Sequence, residues 1–518
     1  MKYANWLICL SLFAASHISG LATAEDEEPK PPATLTQKIE PAEDKTETKV
    51  SLTTTQHTAE IAGETIDYTT TVGTLEMKSD DGKPKAEIFF IAYTKDGAGD
   101  LKDRPVTFCF NGGPGSSSVW LHMGMLGPKR VKIPDNAKPV PPPGELVDNQ
   151  YSLLDQTDLV FIDPVSTGFS RPAKDEDKQQ FHGFDEDLRS VGQFIYFYTS
   201  KYHRWLSPKY LLGESYGTLR AAGLSGHLQD RYYMDINGVA LISSVLDFQT
   251  LSFDENNHMP YLLFFPTYTA TAWYHKKLPA DLQSQDLERV LVQAEQFAMN
   301  EYADALLKGA RLSERDKKDV IRKYARFTGL SEEYVEQADF RINMARFGKE
   351  LLRNNRRTVA RFDSRYTGID RDAAGERYEY DASAAAIFGP YTAALNHYLR
   401  TELKVENERV YEILTSNVHP WNYKRFENAY VDASDTLRKA MSRNPYMKVF
   451  VASGFYDLAT PYYATDQTFN QLALDPSLRK NIDIHYYPAG HMMYVHEPSL
   501  KKLRRDLEPF YERPHDEK

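Results

Sequence analysis

The sequence predicts an α/β protein with a mostly parallel central sheet and a helical cap inserted between two of its strands. Three observations predict this. Between residues 106 and 243, short apolar runs punctuated by Gly, Pro and Asn alternate with amphipathic helical stretches, the rhythm of strand–helix–strand units. From residue 250 to 378 the chain becomes helical and charged, and strand signals vanish. They return at Met447–Ala452 and Asp483–Tyr487, so the helical block interrupts a sheet rather than trailing it.

Taken in order, residues 25–55 read as a disordered leader, rich in Pro, Lys, Glu and Thr and poor in large apolar side chains. The first part of the core is expected over 56–249. It opens with antiparallel strands at Glu60–Thr71, Gly73–Lys78 and Lys85–Tyr93, with turn signals at Ala62-Gly63 and Asp80-Asp81-Gly82. Val106–Phe110 and Asp158–Ile162 are short continuous apolar runs, the mark of buried strands. Phe184–Tyr202 carries Leu188, Val191, Phe194, Ile195 and Phe197 on one side at helical spacing. Strands follow at Lys209–Leu212 and Gly238–Ser243. The cap is expected over 250–378, with its clearest helices at Leu287–Leu307 and Glu314–Phe327. The second part of the core spans 379–518.

The first 24 residues read as a cleaved secretory signal. Lys2 gives a positive start, Trp6–Ala15 an apolar stretch, and Ala22-Thr23-Ala24 a small-x-small cleavage site before Glu25. Ser16, His17 and Ser19 interrupt that run before it is long enough to span a bilayer, and no other stretch approaches about 18 apolar residues. The mature chain is therefore expected to have no membrane span. Cys9 leaves with the signal and Cys109 stays alone, so no internal disulfide can form. An exported chain of this size without disulfides suits a bacterial periplasm or bacterial secretion.

The composition, 41% hydrophobic and 26% charged, is that of an ordinary globular protein. A net charge of −11 argues against binding to nucleic acid or to an anionic membrane. Lys501, Lys502, Arg504 and Arg505 cluster, but their acidic neighbours and helical spacing make a solvated helix face. No metal or cofactor is expected. There is no His-Glu-x-x-His, and Asp370-Arg371-Asp372 with Gly375 lacks the oxygen ligand a calcium loop needs at Ala374, so it reads as a polar surface loop.

The chemistry lies in the loops that follow strands. Gly213-Glu214-Ser215-Tyr216-Gly217 sits between an apolar strand and the helix-compatible run Thr218–Leu228. That is the context of a nucleophile elbow, in which a tight turn flanked by small residues lifts the serine hydroxyl above the sheet edge. Ser215 is thus the candidate nucleophile of an α/β-hydrolase fold. A serine hydroxyl needs a base, and the base needs an acid to orient it. Asp457 and His491 follow the last two strands, in the chain order this fold uses and at the strand ends where open α/β sheets build their sites. Asp466, Asp483, His485 and His496 are the local competitors. They lie within a strand or away from a strand end. Phe110-Asn111-Gly112-Gly113-Pro114-Gly115 offers unobstructed backbone N–H groups after another strand. Gly113 N–H and Tyr216 N–H are the candidate oxyanion donors, each typically worth about 3–4 kcal/mol of barrier. Trp120, Tyr216 and Tyr494 suggest an aromatic-lined cleft.

Four separated motifs in order resemble the serine carboxypeptidases, peptidase family S10, over roughly residues 87–500. They are Asn111-Gly112-Gly113-Pro114-Gly115-Ser116-Ser117-Ser118, Asp163-Pro164 with Gly168-Phe169-Ser170, Gly213–Gly217, and Gly490-His491-Met492 through Pro498. The resemblance implies an α/β-hydrolase fold with a cap and removal of C-terminal residues from peptides, generally favoured at acid pH. It implies Ser215, Asp457 and His491 as the triad. It also implies Asn111, Gly112 and Glu214 as binders of the substrate's terminal carboxylate, and Met492 as a lining of the leaving-residue pocket.

The sequence departs from the family at three points. Ser116 stands where a bridged Cys is usual. Gly454-Phe455-Tyr456-Asp457 replaces the usual Gly-Asp-x-Asp. Met125, in Gly124-Met125-Leu126-Gly127-Pro128, stands where a Glu commonly pairs with the carboxyl at the Glu214 position. Two close carboxyls share a proton, and methionine has none to share. Weaker selection for a free C-terminus is therefore expected. An esterase, amidase or acyltransferase using the same triad remains open. A non-catalytic binding protein would require a lost triad member, and none is missing.

Overall fold

A computed structural model describes residues 52–512. The expected signal peptide (1–24) and most of the expected leader (25–55) lie outside the described residues. One mixed sheet organises them. Apart from the two-residue strand Arg171–Pro172, which pairs with Ala86 and Glu87, its strands are β1 (Thr53–Ile61), β2 (Glu64–Lys78), β3 (Pro84–Lys95), β4 (Val106–Phe110), β5 (Asp158–Ile162), β6 (Lys209–Ser215), β7 (Gly238–Ser244), β8 (Lys448–Gly454) and β9 (Ile482–Tyr487). They lie side by side in the order β1-β2-β3-β5-β4-β6-β7-β8-β9. β1, β2, β3 and β5 pair antiparallel, and from β5 through β9 every pairing is parallel. The sheet is mostly parallel beyond its antiparallel opening, as the sequence predicts.

The parallel strands are apolar on both faces because both faces are covered. Phe108, Phe110, Leu211, Val239, Leu241 and Val451 pack on one side with Leu188, Val191, Leu219 and Leu224, from the helices Phe184–Lys201 and Tyr216–Tyr232. Cys109, Leu212, Ala240, Ile242 and Ala452 pack on the other with Tyr391, Leu395, Leu503 and Leu507, from the helices Ala382–Thr401 and Glu497–Tyr511.

The opening hairpin differs from the expected strand boundaries. Glu60–Thr71 is not one strand. Ala62 and Gly63 turn the chain with φ of 53° and 87°, the positive pair that suits a two-residue hairpin. Pairing runs back to Thr53, so residues 53–55 of the expected leader belong to β1. This edge strand alternates half-exposed and exposed residues and carries no apolar run to announce it.

Between β7 and β8 the helices Met259–Tyr274, Leu287–Phe297, Glu314–Thr328 and Met344–Glu350 close around a cluster of their own that includes Leu262, Phe265, Val290, Tyr324 and Phe347. The helix expected over Leu287–Leu307 continues to Lys308 through a π-helical segment at Ala298–Tyr302. Glu314–Thr328 is capped by Ser313, whose side chain accepts from Asp316 N at 3.1 Å, and ends at Gly329 with φ 70°. At the loop that loosely resembles a calcium site, the buried Lys349 ammonium bonds the Asp370 carboxylate at 2.5 Å and the Asp372 carbonyl at 3.0 Å. Lys349 thus takes one carboxylate and one backbone carbonyl of this loop, and the Asp372 carboxylate lies 3.6 Å from Arg371 Nε. Among the described residues no helix is long and apolar enough to cross a membrane.

Candidate active site

Ser215 ends β6, and the helix Tyr216–Tyr232 starts at the next residue. The turn between them holds Ser215 at φ 59°, ψ −128°, a costly conformation for a non-glycine residue that persists only where the surroundings enforce it. The flanking glycines show the enforcement. A Cβ on Gly213 would meet the carbonyl of Gly217, and one on Gly217 would come within 2.7 Å of the Phe110 carbonyl oxygen. A Cβ on Gly112 would lie 2.5 Å from Tyr216 N and 2.9 Å from Gly217 N. The Gly112-Gly113 loop therefore rests directly against the N-terminal amides of that helix. Gly113 takes φ 107°, which a side chain would oppose.

Asn111 is fixed from three directions. Its Oδ1 accepts from Leu121 N at 3.0 Å, and its Nδ2 donates to Glu214 Oε2 at 3.0 Å. Its carbonyl accepts from Arg220 Nη1 at 2.5 Å. Arg220 is 1% exposed and held by Asp187 at 2.7 Å, and its guanidinium lies over the rings of Phe110 and Tyr216.

Asp457 follows β8, and His491 follows β9. His491 Nδ1 and Asp457 Oδ2 are 2.7 Å apart, both buried. Asp457 Oδ1 accepts from Ala459 N at 2.7 Å and Thr460 N at 3.0 Å, and its Oδ2 from Thr460 Oγ1 at 2.7 Å. These donors fix the orientation of the carboxyl group against the imidazole. The carboxylate assigns the imidazole proton to Nδ1 and leaves Nε2 as the basic nitrogen. Burial pulls the His491 pKa down, but the Asp457 charge and hydrogen bond outweigh it, so the imidazole titrates above its ordinary value.

Glu214 is 2% exposed. Its Oε2 takes both Asn111 Nδ2 and, at 2.5 Å, the Tyr494 hydroxyl. Burial dominates over these donors and over the nearby His491, and raises its pKa to about 7. Met125 is buried in the π-helical segment His122–Leu126. Tyr391 and Tyr494 crowd the space over neighbouring Gly124. Met492 is buried in the same cluster as Met125.

Trp120, Tyr216 and Tyr494, expected to line a cleft, are instead 6%, 2% and 1% exposed. Trp120 Nε1 bonds Ser116 Oγ, and the Tyr216 hydroxyl accepts from Trp421 Nε1. Their large aromatic area packs the loops around Ser116 and Ser215. Of the competitors, His485 pairs with Asp483, Asp466 accepts from Tyr486, and His496 bonds Ser499. Sequence reasoning missed Thr460, the Tyr494 hydroxyl and Phe362. The Phe362 ring stacks on His491 at 5.1 Å and 20°. A Thr three residues after the candidate acid was the one available signal.

The family profile for serine carboxypeptidases matches residues 64–493. A stretch of 155 residues is 34% identical to the pheromone-processing carboxypeptidase KEX1 of Saccharomyces cerevisiae (strain ATCC 204508 / S288c), covering 28% of this chain and 20% of that relative's length. The crystal structure of Kex1(delta)p, a prohormone-processing carboxypeptidase from the same yeast, superposes with TM-score 0.52 at 16% identity, covering 85% of this chain and 91% of that one. The chain belongs to the serine carboxypeptidase family, peptidase family S10, on an α/β-hydrolase fold.

Proposed function

We propose that this chain removes C-terminal residues from peptides through a Ser215–His491–Asp457 triad. The observation that carries the reading is the buried His491–Asp457 pair after β8 and β9, together with Ser215 held in an enforced turn at the end of β6 of the same sheet. Ser215 Oγ attacks the carbonyl carbon of the last peptide bond as its proton passes to His491 Nε2. Gly113 N–H and Tyr216 N–H receive the oxyanion. The C–N bond breaks as His491 returns the proton to the leaving amine, giving an acyl-enzyme. Water then attacks with His491 again as base, and Ser215 and the shortened peptide are released.

The substrate's terminal carboxylate is placed against Asn111 Nδ2, Gly112 N–H and a protonated Glu214. Burial, with a smaller contribution from the Asp457 charge, raises the Glu214 pKa to about 7, so the carboxyl is mostly protonated at acid pH without the second carboxyl that Met125 replaces. Above about pH 7, the ionised Glu214 repels a carboxylate, and the same triad favours amides and esters. Selection for a free C-terminus is therefore conditional on pH. The N-terminal signal segment supports export to a periplasm or the medium.

A fluorophosphonate probe should label the wild type, and Ser215→Ala should lose both labelling and roughly 10⁴-fold or more of activity. Hydrolysis of a blocked dipeptide against its C-terminal amide should favour the acid at pH 5. Equal rates on the two at pH 5 would remove the carboxylate-binding role from Glu214. Met125→Glu should extend the preference for the acid to higher pH.

A further inference from the structure

Within the inserted region, residues 361–365 form a short segment that bonds the loops after both β8 and β9. Its backbone and side chains bond both loops in turn. Arg361 O accepts from Leu458 N at 2.9 Å, and Ser364 N donates to Tyr456 O at 2.9 Å, so the segment brackets Asp457 on both sides. Phe362 O accepts from His491 N at 2.6 Å. Asp363 Oδ2 accepts from Gly490 N at 3.3 Å, and Arg365 Nη1 donates to Pro488 O at 3.2 Å. Asp363 and Arg365 are buried and paired at 2.6 Å. The segment is pinned from behind by Asp381 Oδ2 on Phe362 N and Ser383 Oγ on Asp363 N. Gly490 has no room for a Cβ, which would collide with Asp363 and the Phe362 carbonyl.

We infer that residues 361–365 form a clip that sets His491 against Asp457, with Phe362 as the positioning residue for the imidazole. The inference rests on the reading of Ser215, Asp457 and His491 as the catalytic groups. The half-buried Phe362 ring lies nearly parallel to the imidazole. It blocks rotation of the imidazole about its last side-chain bond, a broad and soft torsion when unopposed. It also excludes water from one imidazole face. The charged groups that act on His491 are Asp457 from the loop after β8, Glu214 from the elbow, and Arg361 from the clip itself. Phe362 adds no charge to this set. The Arg361 guanidinium lies over its ring at 5.4 Å, so removal of the ring changes the orientation and solvation of the imidazole and frees Arg361.

The test compares Phe362→Ala and Phe362→Tyr with wild type on a blocked dipeptide. Rates are normalised to active sites counted with a fluorophosphonate probe. Phe362→Ala is expected to lower kcat by about 10²-fold with KM little changed, the cost of a misplaced base. The acid limb of its kcat/KM profile moves to higher pH, because water then reaches the imidazolium. Phe362→Tyr keeps the stacked ring and should restore both. Arg365→Lys, which loses the forked pairing with Asp363, should lower kcat in the same way. If Phe362→Ala lost active sites while the surviving fraction kept the wild-type kcat and acid limb, the positioning role would be overturned in favour of a purely structural one. A wild type that neither hydrolyses the peptide nor takes the probe would instead overturn the triad reading beneath it.

Discussion

Glu214 illustrates how a single side chain can carry the pH dependence of a site. Its pKa of about 7 arises first from burial, against the pull of His491, Tyr494 and Asn111. His491 titrates above its ordinary value because Asp457 outweighs its own burial. On the proposed mechanism, the reaction needs His491 neutral and, for a carboxylate-ended substrate, Glu214 protonated. The first requirement gives an acid limb, where activity rises as the imidazole loses its proton. The second gives an alkaline limb near pH 7, where activity falls as the carboxyl ionises. Because the two groups interact, both limbs belong to the pair. Glu214→Gln keeps a donor for the carboxylate and cannot ionise. It should therefore abolish the alkaline limb for a free-acid peptide while leaving an ester's profile without one, as in the wild type. Rates across pH 5–9 on both substrates check this, and an alkaline limb that survives in Glu214→Gln would assign it to another group.

At the scale of elements, the site is a set of strand ends, and this explains what was legible in the sequence. β4 to β8 are buried on both faces, so they appear as short apolar runs, and the residues after them stand out by position. Ser215 and Asp457 could be named because each follows such a run, and His491 because it follows the next strand, β9, in the chain order of the fold. β1 could not be bounded, because its Thr-rich edge lacks that contrast. Tyr494, Thr460 and Phe362 act through contacts that no spacing rule encodes. Phe362 lies 129 residues before His491 in the chain and meets it only after the insert folds back. The glycine loop after β4 was legible as a turn, but its load on the helix Tyr216–Tyr232 was not. Gly112→Ala places a methyl 2.5 Å from Tyr216 N, where either the loop or the amide must move. Displacing one oxyanion donor should lower kcat by about 10²-fold. Steady-state kinetics, with probe titration to count folded sites, measures it. A loss of only a few-fold would show that the loop can retreat without disturbing the hole.

Over the whole molecule, the insert and the core are joined as one packed body near the site, and Leu458, next to Asp457, is buried in the insert's own cluster. A second junction is built from carboxyls. Glu295, on the insert helix Leu287–Phe297, bonds the Tyr462 hydroxyl at 2.7 Å. On the same core helix, Tyr462–Asn470, Asp466 accepts from the Tyr486 hydroxyl at 2.8 Å. Burial raises Asp466 to about 7, against the Tyr486 bond, and the Glu295 charge adds to the rise. Glu295 is itself raised by burial. An acid raised on folding holds a proton that the unfolded chain releases near its ordinary value of about 4. Its contribution to stability is thus fully present below about pH 4 and is lost as pH rises through about 7. Asp466→Asn keeps an acceptor for Tyr486 and removes the ionisation. The difference in Tm, wild type minus variant, should be largest at pH 5 and should shrink or reverse by pH 8. Taking the difference cancels every other titrating group the two proteins share, including His122 and His182, which burial holds neutral and whose effect on stability runs the opposite way. Calorimetry at pH 5, 6.5 and 8 measures it. A difference that stays constant across that range would mean Asp466 is ionised throughout, and that the junction between insert and core holds a charge rather than a proton.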